Sequence, residues 1–255
     1  MKTLVALTAA LLLLVPMSVA AADDAIPETS VVVTTEVLGS VVEQLAGDVA
    51  DVKVLMSGGA DPHSWQPSAR DTQAVFEADL IVANGLDLEE GLASVLEQAE
   101  TDGVPVLHAA DFVSLRASAD AEGDHAGEAD DDHAASDPHF WLDPIAMRDV
   151  VLALDPVLAG AGIDLGDRSE SLAADLESLD AELAEMLSVV PDDQRQLVTG
   201  HGALGYFADR YDFDIIGTVV PGLSSSDEPS ARELATLIDA INGAGSTALF
   251  TDVGT

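Results

Sequence analysis

The sequence contains no cysteine. That absence excludes a disulfide framework, a thiolate metal site and a lipid-attachment residue at an export-signal junction. Any metal ion would have to be held by imidazole and carboxylate groups. Cationic side chains are scarce as well: 9 Lys and Arg stand against 47 Asp and Glu, a formal net charge of -38. Phosphate-bearing partners, whether nucleic acid or an anionic membrane, are repelled by such a field. A surface this acidic serves above all to keep a protein soluble in concentrated salt, so the charge alone assigns no function. Missing too is any His-Glu-x-x-His helix, the signature of a common class of zinc hydrolases.

What is present begins with an export signal. Lys2 precedes an apolar run over residues 4–15, and the small residues Ser18, Ala20, Ala21 and Ala22 precede Asp23 and Asp24. These are the three parts of a secretory signal, so residues 1–22 are read as a signal peptide cleaved after Ala20 or Ala22. The run is short for a bilayer-spanning helix of ~20 residues. The mature protein is therefore expected to be periplasmic or extracellular, without a lipid anchor. At 255 residues, 48% of them hydrophobic, the chain can form one large domain or two lobes with real cores.

Short apolar strands alternate with helices of about ten residues, a pattern that implies right-handed βαβ units and a parallel sheet. The first series places strands at 30–33, 52–56, 80–83 and 104–107, with helices at 36–45, 68–77 and 88–98. A helix at 145–158 leads to a long one at 168–188, where Leu172, Leu176, Leu179, Leu183 and Leu187 form an apolar stripe read as core. A second series follows, with strands at 196–199, 214–219 and 248–250 and helices at 203–211 and 229–242. The fold class expected is α/β: two lobes with parallel sheets flanked by helices, bridged by one long helix. Its parts are an N-terminal lobe over 28–165, a linking helix over 166–190 and a C-terminal lobe over 194–255 that is partial. Within the first lobe, residues 119–137 are an acidic loop containing His125 and His133. That loop is read either as a weak collector of metal ions or as a solvated insertion.

Three histidines stand in conformationally restricted settings. His63 lies in Gly59-Ala60-Asp61-Pro62-His63-Ser64-Trp65, and His139 lies between Pro138 and Pro144 beside Phe140 and Trp141. His201 lies in Thr199-Gly200-His201-Gly202. An imidazole ligand must be neutral and aimed through a nitrogen lone pair at zinc about 2.0–2.1 Å away, which demands rigid placement. His63 and His201 each follow a strand and His139 precedes a helix, so all three belong at the loop end of the sheets, where open α/β folds bind ligands. One loop histidine is more often a surface residue than a ligand; the reading rests on three converging on one divalent ion. Asp61, Asp137 and Asp143 are near enough in sequence to accept the second N–H of a ligating ring. Trp65, Trp141 and Tyr206 are read as packing residues that also shield the site, and His108 is assigned no role.

These motifs carry a resemblance. Gly-Ala-Asp-Pro-His63-Ser-Trp with Pro67, Ser68 and Asp71, then Asp-Pro-His139-Phe-Trp-Leu-Asp-Pro, then Thr-Gly-His201-Gly-Ala-Leu-Gly-Tyr-Phe resemble the zinc and manganese class of ABC-transporter solute-binding proteins. The acid and histidine tract just ahead of the second motif is similar too. The resemblance implies two lobes bridged by a long helix, with His63, His139 and His201 as ligands of one ion in the cleft. It implies a monomer that does no catalysis, captures Zn²⁺ or Mn²⁺ and delivers it to an ABC permease. Manganese members often carry glutamate at the third position; His201 makes the set nitrogen-rich, which favours Zn²⁺. Members usually continue for several more elements, many supplying a carboxylate ligand there, whereas this sequence ends at Thr255. The chain is accordingly expected to be C-terminally truncated, with its fourth metal position taken by water or a carboxylate such as Asp252. Two other functions share the site: a secreted zinc hydrolase, since three histidines and an open position also activate water, and an exported adhesin or metal buffer without a transporter.

Overall fold

The computed structural model describes residues 29–117, 136–245 and 248–251. The signal segment, nearly all of the acidic tract and Asp252 lie outside the described residues.

Four short strands form the first sheet: β1 (Ser30–Val33), β2 (Asp51–Val54), β3 (Leu80–Ala83) and β4 (Val106–His108), in the order β2-β1-β3-β4. All pairings are parallel. The central strands β1 and β3 are apolar along almost their whole length because helices cover both faces. Successive residues of a strand point to opposite faces, so Val31 and Val33 enter one core and Val32 the other. The first core is closed by α1 (Glu36–Ala46) and α4 (Pro144–Gly160), with Phe140, Val150, Leu154 and Leu158 buried in it. Across the sheet, α2 (Ala69–Glu77) and α3 (Ala93–Thr101) supply Val75, Leu96 and Ala99. Ser68 and Asp71 close the start of α2 with a reciprocal capping box.

The second sheet is smaller. β5 (Gln196–Thr199) pairs in parallel with β6 (Asp214–Thr218), and Phe250 makes a parallel bridge to Thr199 on the other edge of β5. Helices α6 (Gly205–Tyr211) and α7 (Ala231–Ala244) belong to this part. Between the two sheets runs α5 (Arg168–Leu187), whose Leu172 and Leu176 pack against the first core. Farther along, its Asp180 accepts from Arg210 Nε and Nη2, both at 2.6 Å, and from the Tyr211 hydroxyl at 3.0 Å. Among the described residues no helix is long and apolar enough to cross a membrane.

Two expectations about helices change. The helix placed at 88–98 begins only at Ala93, and Leu86 and Asp87 take left-handed backbone angles, each with φ of 56°. Leu88 and Leu92 are buried as expected of a helix face, but the segment is turned so that Glu89 points inward. There its carboxylate accepts from the Thr34 hydroxyl (2.5 Å) and from the backbone of Asn84 (2.7 Å) and Gly85 (3.3 Å). Satisfying that buried carboxyl outweighs the regular helix. The second change concerns α5, where the residues buried are Ser169 and Ala173 and none of the five periodic leucines. Leu172, Leu176, Leu183 and Leu187 are half-buried and Leu179 is 42% exposed, so the stripe is a partly covered face rather than core.

Candidate metal centre

Each of the three histidines is presented by a different element. His63 sits in the connection between β2 and α2, His139 begins the turn 140–142 that leads into α4, and His201 follows β5 directly. All three are buried, and one ligand nitrogen from each lies within 4.8 Å of the others. His139 Nε2 is 3.3 Å from His63 Nε2 and 3.3 Å from His201 Nε2. Two nitrogens bound to one zinc at tetrahedral angles, each ~2.0–2.1 Å from it, stand about 3.3–3.4 Å apart. The observed spacing matches that value.

The state of His139 follows from its neighbour. Asp137, fully buried, accepts from the His139 backbone N–H at 3.0 Å and from ring Nδ1–H at 2.8 Å. A proton held on Nδ1 leaves the lone pair on Nε2, aimed at the other two rings. That one lone pair can accept only a single N–H, whereas a cation placed between the rings can take a lone pair from each. The second oxygen of Asp137 lies 3.3 Å from Arg116 Nη1, and Arg116 Nε also donates to Asp209 at 2.7 Å. The buried carboxylate is thus paired with a cation as well as with a ring. Room for this pair exists because residue 205 is glycine: a Cβ there would overlap the Arg116 guanidinium and the Asp137 carboxylate.

Behind His139, Asn84 Nδ2 donates to the carbonyl of Pro138 at 3.0 Å, and the Asn84 backbone is held in turn by Glu89. Burial pushes the Glu89 carboxyl above the ordinary carboxylate range, against the bonds it accepts from Thr34, Asn84 and Gly85. His63 is shifted the other way. Burial, then the neighbouring His139 and His201, hold its imidazole below the ordinary value, with Asp61 and Glu90 opposing. A neutral ring is the form a metal requires.

Of the three aspartates expected to orient rings, Asp137 alone does so. Asp61 accepts instead from the backbone N–H of His63 at 3.1 Å, an Asx turn formed because Pro62 stands between them. Asp143 caps α4 by accepting from Ile145 N at 2.8 Å, and it lies 3.3 Å from Arg210 Nε. Trp141 packs with its ring centroid 5.2 Å from that of His139, and Tyr206 is buried with its hydroxyl accepting from Arg116 N at 2.9 Å. His108 lies at the surface, 2.7 Å from Glu100, away from the centre. Sequence reasoning missed Arg116, Asn84, Glu89 and Glu90. For Arg116 there was a signal: it is one of only 9 basic residues in the chain and stands at the edge of the acidic tract.

Comparison with known proteins agrees with this architecture. A family model described as ZnuA, zinc-uptake complex component A, periplasmic, matches residues 31–255. The chain belongs to that family. This ZnuA-family chain is 28% identical over 229 residues to the manganese-binding lipoprotein MntA of Halalkalibacterium halodurans, covering 87% of the chain and 70% of MntA. It is 32% identical over 202 residues to the zinc-binding lipoprotein AdcA of Streptococcus pneumoniae, covering 77% of the chain and 40% of AdcA. Among solved structures, the periplasmic zinc-binding protein TroA of Treponema pallidum superposes with a TM-score of 0.73 at 27% identity, covering 88% of this chain and 77% of TroA. The chain thus spans 40% of the length of AdcA and 70% of that of MntA. The family is one of metal-binding proteins rather than enzymes, which removes the hydrolase reading.

Proposed function

We propose that the protein captures Zn²⁺ outside the cytoplasmic membrane through His63, His139 and His201 and delivers it to an ABC permease. The observation that carries the reading is the pair of 3.3 Å Nε2 separations about His139, whose tautomer Asp137 sets. Zinc is the expected cargo over manganese because the donors are three imidazoles, and nitrogen ligands suit Zn²⁺ while Mn²⁺ prefers oxygen. The names of the relatives, zinc-binding for AdcA and manganese-binding for MntA, bracket the same choice. A fourth position is left to water or a carboxylate. Burial of the three rings keeps bulk water from competing at each bond while the cleft is closed.

Isothermal titration of metal-free protein tests the site. Wild type should bind one Zn²⁺, and His139→Ala should bind it at least about 100-fold more weakly, since it removes the nitrogen common to both contacts. A loss below about tenfold would place the ion elsewhere. Elemental analysis of protein purified without added metal checks zinc against manganese.

A further inference from the structure

The loop that leaves β6 reaches from the His201 side of the site to the His63 side. At its root, Val219 N and Val220 N donate to the carbonyls of Thr199 and Gly200 at 2.9 and 2.8 Å, and Gly202 N donates to Gly222 O at 3.0 Å. The last approach is close enough that a Cβ on residue 202 would stand 2.7 Å from Gly222 O, so glycine is required there. Farther along, Ser225 Oγ donates to Asp61 Oδ2 at 2.6 Å and Ser224 Oγ donates to Glu90 Oε1 at 2.9 Å. Ser226 N steadies the second serine by donating to Ser224 Oγ at 3.2 Å. Both carboxylates flank His63. Asp61 accepts the His63 backbone N–H, and Glu90 Oε1 is 3.6 Å from His63 Nδ1, a buried ring nitrogen with no hydrogen-bond partner among the described residues. One loop therefore grips the backbone beside His201 at one end and the two carboxylates beside His63 at the other.

We infer that Ser224 and Ser225 are positioning residues that clasp the cleft shut, so that the loop carrying them sets how long a captured cation stays. The inference rests on the three-histidine site proposed above and adds the element that governs release from it. Each hydroxyl donates to a carboxylate, which makes these the stronger kind of hydrogen bond. Neither serine touches a ligand nitrogen, so removing the hydroxyls leaves the donor set whole. Both serines and Glu90 lie where water can reach, so truncation frees a tether without stranding a buried charge. Released from Ser224, the Glu90 carboxylate no longer has a fixed place beside Nδ1, and the His63 ring loses part of its orientation. Released from Ser225, Asp61 still closes its own turn but no longer ties that turn to the β6 loop.

The experiment compares wild type, S224A/S225A and S224T/S225T by two measurements: stopped-flow release of Zn²⁺ into a chelator, and amide hydrogen exchange of the metal-free protein. In S224A/S225A, release should be about tenfold faster and exchange over residues 61–66 should rise. S224T/S225T keeps both hydroxyls and should restore both readouts, which a merely space-filling role for serine would not do. An unchanged release rate, unchanged exchange over 61–66, or a threonine pair that behaves as the alanine pair does overturns the clasp. Failure of wild type to bind Zn²⁺ at all is a separate result: it removes the three-histidine site itself and is read before any variant is made.

Discussion

The two sheets of this protein differ in how completely they are buried. Around the four-stranded sheet, β1 and β3 are covered on both faces, and Phe140, Leu154, Leu158 and Ile81 are fully buried. Around the two-stranded sheet, Leu197 and Val198 of β5 are buried but α7 buries only Leu237, and Ile238, Leu249 and Phe250 are each about half exposed. A groove of about 650 Å³ lies open along Leu187, Leu197, Phe207, Phe213 and Phe250. Local stability follows local burial, so the second sheet should open at lower free energy than the first. His63 and His139 stand on the well-packed side and His201 on the sparse one.

Substitution at the two cores should give the largest contrast. Phe140→Ala removes a fully buried ring from the first core and is expected to lower stability by about 3–5 kcal/mol, whereas Leu237→Ala, at the edge of the second sheet, should fall near ~2 kcal/mol. Chemical denaturation measures both, and equal losses would break the contrast. Matched helix caps give a smaller one. Ser68 and Ser230 form the same capping box at the starts of α2 and α7. Ser68→Ala should lower global stability by about 1 kcal/mol. Ser230→Ala should instead appear as faster amide exchange within α7, with little change in the unfolding midpoint.

The smallest effect is a slope with pH in the metal-free protein. His63 titrates below its ordinary value when folded, so the unfolded chain binds more protons and stability is lost as pH falls from about 6.5. Glu89 has the opposite sign: its raised value makes the folded state bind more protons as pH falls toward 4.5, which favours the fold. Both groups sit at the first sheet. Near the second, Asp180 is held low chiefly by Arg210 despite partial burial, and burial and Asp180 push the Tyr211 hydroxyl up to about 12, so neither titrates between pH 5 and 7. Thermal melts across that range should therefore show a loss in wild type that His63→Gln reduces. An identical slope in the variant would remove His63 as the source.

Where local chemistry decides, the sequence was readable. The β-branched run Ser30–Val33, the apolar run Leu80–Ala83 and the short segment Gln196–Thr199 form strands with the bounds expected of them. The histidines stood out for the prolines and glycines around them, which restrict the backbone whatever the rest of the chain does. Asp137 was legible because it binds a ring two residues away. What escaped depends on partners brought together only by folding. Arg116 meets Asp209 across 93 positions, and Glu89 meets Thr34 across 55. The misplaced start of α3 has the same origin, since Leu88, Leu92 and Leu96 carry helical spacing while the inward carboxyl of Glu89 imposes another backbone. The leucines of α5 have helical spacing too, but periodicity does not reveal how far a covering layer extends.

Ala117 and Ser136 form an antiparallel bridge, and Asp137 N donates to Arg116 O at 2.9 Å, so the two ends of the acidic tract are stitched to each other beside the ring-holding aspartate. Asp137 is thereby anchored through its main chain as well as its carboxylate, so the lever that turns the His139 ring has a fixed fulcrum.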